Sequence, residues 1–251
     1  MQELLLAWYS QNARDLPWRK TRDPYAILVS EVMLQQTQVA RVVPRYLAWL
    51  QRWPTVEALA AASPADVITE WAGMGYNRRA VLLQRCATAV TEMGGFPREP
   101  VELQRLPGVG PYTAAAIASF AFGAQVAAPD TNAKRVLERA FGDSDIAPPP
   151  GRAYEWNQAL FDLGREVCIA RRPRCEICPL ASGCPSRGRT YAPLRKQSRF
   201  EGSFRQRRAE LLRAISAAGS LPDGEADAEA LVSLVRDGLA EVSGGYARLP
   251  V

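Results

Sequence analysis

The sequence predicts an all-α protein, and three observations predict it. Helix-start signals recur along the first 184 residues, the apolar residues between them repeat at helical spacing, and no strand-rich section appears before residue 185. Asp23-Pro24 sets a capping side chain before a proline at the first helical position and opens a helix over 25–39. Pro44 is expected to open the next, as far as Leu50, and Ser63-Pro64-Ala65-Asp66 starts another that runs to Trp71. The segment 78–93 reads as a helix closed by Gly94-Gly95. Shorter helices follow over 100–106 and 111–122, then 132–141 after an irregular Ala-Ala-Pro-Asp stretch. A proline-rich turn at 147–151 precedes a helix over 154–167.

Composition changes beyond Cys184. Residues 185–204 are basic and poor in large aliphatics, as a linker would be. Helical patterns then span 206–218 and 226–239, and an alternating stretch surrounds Gly244-Gly245. Two helices and a glycine-turn hairpin predict a small winged-helix-like appendage.

The bulk numbers bound the function. A hydrophobic content of 47% over 251 residues supports a real core, and a net charge of +5 permits a polyanionic partner. Gln2 and Glu3 follow Met1 where a signal peptide would carry basic residues, and no apolar run approaches the roughly 18 residues of a membrane span, so a cytoplasmic protein is expected. Five cysteines in that setting are not expected to pair as disulfides, and Cys86, inside an apolar helical pattern, reads as core. The chain has no histidine. That excludes histidine-based triads, imidazole bases and mixed Cys/His zinc sites, and leaves acid–base chemistry to carboxylates, lysine, tyrosine or cysteine.

Cys168, Cys175, Cys178 and Cys184 form a C-x6-C-x2-C-x5-C run. Structural zinc sites usually pair their ligands as two C-x2-4-C knuckles, whereas only Cys175 and Cys178 pair here. The wider outer gaps suit a wrap around an iron–sulfur cluster, with zinc the alternative. Arg165, Arg171, Arg172, Arg174, Arg187 and Arg189 flank the run, placed to meet phosphates or to offset thiolate charge.

Leu106-Pro107-Gly108-Val109-Gly110-Pro111 separates two helical segments. Its glycines permit a tight reversal that turns backbone amides outward at the next helix N-terminus, an arrangement that binds a phosphate oxygen. This is a helix-hairpin-helix pattern. Asp130 lies 20 residues beyond Gly110, where an acid can face the same phosphodiester and its sugar.

The hairpin, Asp130 and the cysteine run, in that order and spacing, resemble the endonuclease III superfamily of DNA glycosylases over about residues 1–186. The resemblance implies an all-helical, two-lobed fold and a [4Fe–4S] loop at 168–184. Together with the composition change beyond Cys184, it divides the chain into a catalytic region at 1–186, a basic linker at 187–204 and an appendage at 205–251. Where lyase-competent members carry a lysine after the hairpin this chain has Tyr112, which implies an enzyme that removes a base and leaves the strand intact. Leu16-Pro17-Trp18-Arg19, the run from Ser30 to Val39, Trp71 to Tyr76 and Asn157-Gln158-Ala159-Leu160 are similar to the MutY-type adenine glycosylases. That likeness implies Glu31 as the catalytic acid, with Asp130 and Tyr112 at the sugar. Trp18, Arg19, Leu34 and Gln158 would line the base pocket. Gln36 and Tyr76 would enter the base stack, Thr37 would approach the opposite base, and Leu106, Gly108 and Gly110 would hold the backbone.

The residues agree about Glu31, which shares a helical stripe with Ile27 and Leu34; burial there disfavours its ionised form, as a general acid requires. The implied partner is duplex DNA with a mismatch or an oxidised guanine, bound by a monomer associated with the nucleoid. A thymine or uracil glycosylase acting opposite guanine, and a non-catalytic iron–sulfur DNA-binding protein, are the other readings. The first lacks support from the Glu31–Val39 run, and the second needs neither carboxylate. Asn77 and Thr131 depart from the family's common aromatic and glycine. Only 67 residues follow Cys184, so the family's histidine-bearing 8-oxoguanine sensor is expected to be absent.

Overall fold

Side-chain caps set many of the helix boundaries. Asp23 accepts the amides of Tyr25 and Ala26, Thr55 that of Ala58, Ser63 that of Asp66, Ser203 that of Gln206 and Asp227 that of Ala230. The computed structural model describes residues 1–190 and 199–251. In chain order its helices are α1 (Gln2–Asn12), α2 (Pro24–Leu34), α3 (Val39–Arg52), α4 (Val56–Ala60), α5 (Pro64–Glu70), α6 (Arg78–Glu92), α7 (Pro100–Leu103), α8 (Pro111–Phe122), α9 (Thr131–Phe141), α10 (Ala153–Glu166), α11 (Phe204–Ala218) and α12 (Ala228–Arg236). Strands β1 (Ser220–Pro222), β2 (Glu241–Ser243) and β3 (Tyr246–Arg248) form one antiparallel sheet in the order β1-β3-β2.

The all-α expectation holds for the main region: among the described residues no strand precedes residue 220. The chain divides into two units, and it passes from one to the other within α2. One takes Met1–Leu28, Pro97–Arg105 and the described residues from Val109 to 190; the other takes Val29–Phe96, Leu106–Gly108 and the described residues from 199 onward.

In the first unit α1, α9 and α10 share a core of Leu5, Leu6, Val136, Leu137, Trp156 and Leu160, and three cysteines, Cys168, Cys178 and Cys184, pack against its edge. In the second, Trp49 meets Trp53 and Trp71 edge-on, at centroid distances of 4.7 and 5.6 Å. A further core joins Ile68 of α5 and Val81 of α6 to Leu211, Ile215, Leu231, Leu234 and Ala247 of the appendage. Helix, strand, helix and a two-stranded wing give the appendage its winged-helix-like form. The expected linker at 187–204 falls partly on 191–198, outside the described residues.

Three expectations are corrected. The helix from Pro24 stops at Leu34 instead of continuing to 39, because Gln36 takes φ 56°, which a right-handed helix cannot contain. The next helix therefore restarts at Val39, and Pro44 falls within α3 rather than opening a helix. The helix expected over 100–106 is the single turn α7, ended before the hairpin. Helices α1 and α4 and strand β1 were not legible.

Candidate functional site

In the hairpin Leu106 is buried, Gly108 adopts φ 76° and Gly110 is the N-cap of α8. A Cβ on Gly108 would sit 2.8 Å from Leu82 Cβ of α6, so glycine is required both by the left-handed turn and by close packing. No side chain caps α8. Its first-turn amides and the positive end of its dipole are left for an anion. Tyr112, half-buried one residue into α8, has its ring 6.1 Å from that of Phe161 on α10.

Asp130 is the N-cap of α9. Its Oδ1 accepts the Ala133 amide at 2.7 Å and its Oδ2 accepts from Asn132 Nδ2 at 3.1 Å. The segment that delivers it is pinned by Asn157, wholly buried on α10, which accepts the Ala128 amide at 2.9 Å and donates to the Val126 carbonyl at 3.0 Å and to Ser119 Oγ at 3.2 Å. Arg135 extends the arrangement, donating to Asn132 Oδ1 at 3.0 Å, the Gly164 carbonyl at 2.7 Å and the Cys168 carbonyl at 2.9 Å. Desolvation pulls its guanidinium below the usual range, and the charge of a Cys168 thiolate is the largest effect that offsets it.

Of the expected base-pocket residues in this unit, Trp18 and Gln158 are buried. Arg19 makes a bidentate pair with Asp162, at 2.7 and 2.8 Å, with both side chains almost fully buried. Burial is the largest single effect and opposes the Arg19 charge, but the hydrogen bonds and charge of Asp162, with Tyr9 and Tyr154, together outweigh it and hold the guanidinium above its usual range.

In the other unit Glu31 lies in α2 at 6% exposure, flanked by buried Val29, Ser30, Val32 and Met33. Leu34, the last residue of that helix, is half-buried. Gln36 and Tyr76 are the two non-glycine residues at positive φ among the described residues, at 56° and 47°, and both are exposed. Thr37 follows Gln36 in the same loop, its hydroxyl 3.3 Å from the Gln35 carbonyl.

Cys168, Cys175, Cys178 and Cys184 line one cavity with apolar Val136, Leu163, Val167 and Leu180. Among the described residues no three His, Cys, Asp or Glu side chains converge closely enough to hold one metal ion. Four thiols spread around an apolar cavity fit a multi-iron centre rather than a lone zinc ion. Arg139 Nη1 lies 3.4 Å from Cys168 Sγ and the Gly188 amide 3.4 Å from Cys175 Sγ, donors of the kind that stabilise cluster sulfurs. Burial pushes the Cys178 thiol up and the charges of Cys168, Cys175 and Cys184 add to it, against a backbone hydrogen bond at Leu180 that acts the other way. Arg79, Asn132, Arg135, Asn157 and Asp162 were missed in the sequence. Asn157 alone carried a signal there, beside Gln158 in a recognised run.

A glycine hairpin that opens an uncapped helix, an aspartate that caps another, a buried glutamate and a four-thiol cavity on a helical scaffold define the class as an iron–sulfur protein. Residues 29–158 match the HhH-GPD superfamily of base excision DNA repair proteins, and the chain belongs to that superfamily. Residues 168–184 match the iron–sulfur binding domain of endonuclease III, and the cofactor is a [4Fe–4S] cluster. The adenine DNA glycosylase of Mycolicibacterium smegmatis is 41% identical over 94% of this chain and 91% of that protein. The human adenine DNA glycosylase is 44% identical over 74% of this chain and 39% of that protein. Among solved structures, a thermostable thymine-DNA glycosylase superposes with TM-score 0.68 at 31% identity, covering 73% of this chain and 93% of that one. An endonuclease III–DNA complex superposes with TM-score 0.64 at 25% identity, covering 73% and 92%.

Proposed function

We propose that this protein excises adenine mispaired with 8-oxoguanine or guanine in duplex DNA, by acid-assisted hydrolysis of the N-glycosidic bond that leaves the strand intact. The observation that carries the reading is Glu31, at 6% exposure in α2 between buried Val29, Ser30, Val32 and Met33 and inside the segment that matches the base excision repair superfamily, where a carboxyl can act as a general acid shielded from water. The relatives named adenine DNA glycosylases support it.

The target nucleotide leaves the stack, at a cost of a few kcal/mol, and its base is received by Trp18, Arg19, Leu34 and Gln158. Glu31 gives its proton to adenine N7 and the glycosidic bond breaks with both electrons going to the base. The cationic sugar that remains is stabilised by the Asp130 carboxylate, with Tyr112 beside it. Glu31, now an anion, takes a proton from the water that attacks the sugar, which restores the acid and completes the hydrolysis. Gln36 and Tyr76 fill the stack, Thr37 meets the opposite base, and Leu106, Gly108 and Gly110 hold the phosphodiester. Cys168, Cys175, Cys178 and Cys184 would ligate the cluster, which when bound cross-links their loop. The protein works as a monomer on chromosomal DNA.

The test is base release from duplexes containing A:8-oxoguanine, A:G, T:G or U:G. Adenine release is expected to dominate. Release of thymine or uracil alone would replace this reading with the mismatch-glycosylase alternative, and no release with intact DNA binding would leave a non-catalytic binder.

A further inference from the structure

Two loops of the second unit carry backbone strain, and one side chain grips both. The first links α2 to α3 and contains Gln36 at φ 56°; the second leads into α6 and contains Tyr76 at φ 47°. A non-glycine residue at positive φ is strained and persists only where its surroundings over-determine it. The over-determining group is Arg79, the second residue of α6 and 8% exposed. Its Nη1 donates to the carbonyls of Val32 at 2.7 Å, Met33 at 3.2 Å and Gln35 at 2.6 Å, on the first loop and its approach. Its Nη2 donates to Thr37 Oγ1 at 3.2 Å on the same loop, and to the carbonyls of Met74 at 3.3 Å and Gly75 at 3.0 Å on the second.

The guanidinium also lies 5.0 Å from the centre of the Trp71 ring and 5.6 Å from that of Tyr76, while the Trp71 indole donates to the Gly75 carbonyl at 3.1 Å. Among the described residues its hydrogen-bond partners are carbonyls and one hydroxyl, none a carboxylate. Desolvation draws its pKa down to about 10, which leaves it charged at neutral pH. A cation buried without a counter-ion is expensive to keep for packing alone, and a planar fork with five donors is the one side chain that can serve carbonyls of two loops together.

We propose that Arg79 is a positioning residue that locks the Gln36 and Tyr76 loops into a single rigid wedge, so that the two side chains enter a damaged duplex as one unit. The inference rests on the proposed function only in taking these two residues to enter the base stack. It identifies what sets discrimination between damaged and intact DNA: the energy that holds the loops in their strained form before DNA arrives, supplied from behind by a residue that touches no nucleotide.

The experiment is a double-mutant cycle on the full-length, cluster-loaded protein with Arg79→Met, Tyr76→Ala and the pair. It reads the ratio of affinities for a duplex carrying a tetrahydrofuran abasic analogue and for the same duplex undamaged. Arg79→Met is expected to lower that ratio about tenfold or more with undamaged-duplex affinity unchanged within about twofold, since phosphate contacts set the latter. The double variant is expected to fall no further than the worse single variant, because both changes break one unit. A ratio unchanged by Arg79→Met, an equal loss on both duplexes, or losses that multiply in the pair would overturn the proposal.

Arg79→Lys keeps a cation but loses the fork, and should behave as Arg79→Met does; full rescue by lysine would also overturn it. If the Met variant does not fold, the same cycle run with Arg79→Lys and Thr37→Val decides. Base release by the wild-type protein is scored separately. A protein that releases no adenine yet shows the non-multiplying cycle refutes the proposed function alone, and one that releases adenine with multiplying losses refutes the wedge alone.

Discussion

Asp130 Oδ1 accepts the Ala133 amide at 2.7 Å, so the carboxylate assigned to the cleaved sugar is also the N-cap of α9. The two duties separate by substitution. Asparagine caps a helix about as well as aspartate but carries no charge. Asp130→Asn should therefore melt within about 1 °C of wild type, while single-turnover base release falls on the order of 10²–10³-fold. Asp130→Ala should lose the rate and also about 0.5–2 kcal/mol of stability. Parallel thermal melts and rate measurements check this, and an Asn variant with near-normal turnover would remove Asp130 from the mechanism.

In the proposed mechanism Glu31 acts by giving up a proton, and glutamine keeps its shape without an acidic one. Glu31→Gln should lower base release by roughly 10²–10⁴-fold, the range for a lost general acid. Affinity for undamaged duplex should stay within a few-fold, because phosphate contacts dominate it. Quench-flow rates with binding isotherms measure both, and a slow variant that has also lost DNA affinity would point to a folding defect instead.

The cavity lined by Cys168, Cys175, Cys178 and Cys184 predicts a coloured protein. Preparations made under reducing conditions should be straw-brown with broad visible absorption, and iron and sulfide should be present in about equal amounts, as in a cubane. Cys178→Ser should lose the colour. A colourless, zinc-loaded and fully active wild type would contradict the assignment.

Local rules made most of the fold legible, and it failed where tertiary contacts override them. Asp23, Ser63 and Gly94-Gly95 announce helix ends by chemistry confined to a few residues, and the boundaries fell within a residue or two. The turn at Gln36 could not be read, because glutamine has no preference for φ 56° and the side chain that grips the loop, Arg79, comes 43 positions later. The same holds for the site. Glu31, Asp130 and the cysteines sit in recognisable runs, whereas Arg135, Asn132 and Asp162 act through partners about 30 to 140 residues away or through a capped aspartate, and ordinary arginines and asparagines give no sign of that.

Gly108 tests the hairpin. An alanine there would meet Leu82 Cβ at 2.8 Å and would have to hold φ 76°. Neither strain can be relieved by swinging a flexible tip, since the obstructing atom is fixed to the α6 backbone. Gly108→Ala should destabilise by more than about 1 kcal/mol. It should also weaken binding to undamaged duplex, by displacing the amides at the start of α8. Gly110→Ala, at ordinary φ −86° and with open space around it, should cost far less stability. Equal losses from the two would mean that the Leu82 contact does not set the turn.

The appendage is integral to the second unit rather than a tail beside it. Ile215 is fully buried and Leu234 nearly so, in one cluster with Ile68 of α5 and Val81 of α6. The close approach continues at Gly238, where a Cβ would stand 3.5 Å from Val81 Cγ1 and 3.4 Å from Arg85 Nη2, and Thr69 and Ser216 hydroxyls lie 3.4 Å apart. Removing 199–251 would bare Ile68 of α5 to water, and with it Val81 on α6, the helix that begins with Arg78 and Arg79. Ile215→Ala should cost about 2–5 kcal/mol, as a buried isoleucine does. The loss should appear as weakened amide hydrogen-exchange protection in α5 and α6 as well as in α11 and α12. Exchange that rises only within α11, α12 and the sheet would mean that the appendage folds separately, and its contact with Val81 would then contribute nothing to the loops that α6 carries.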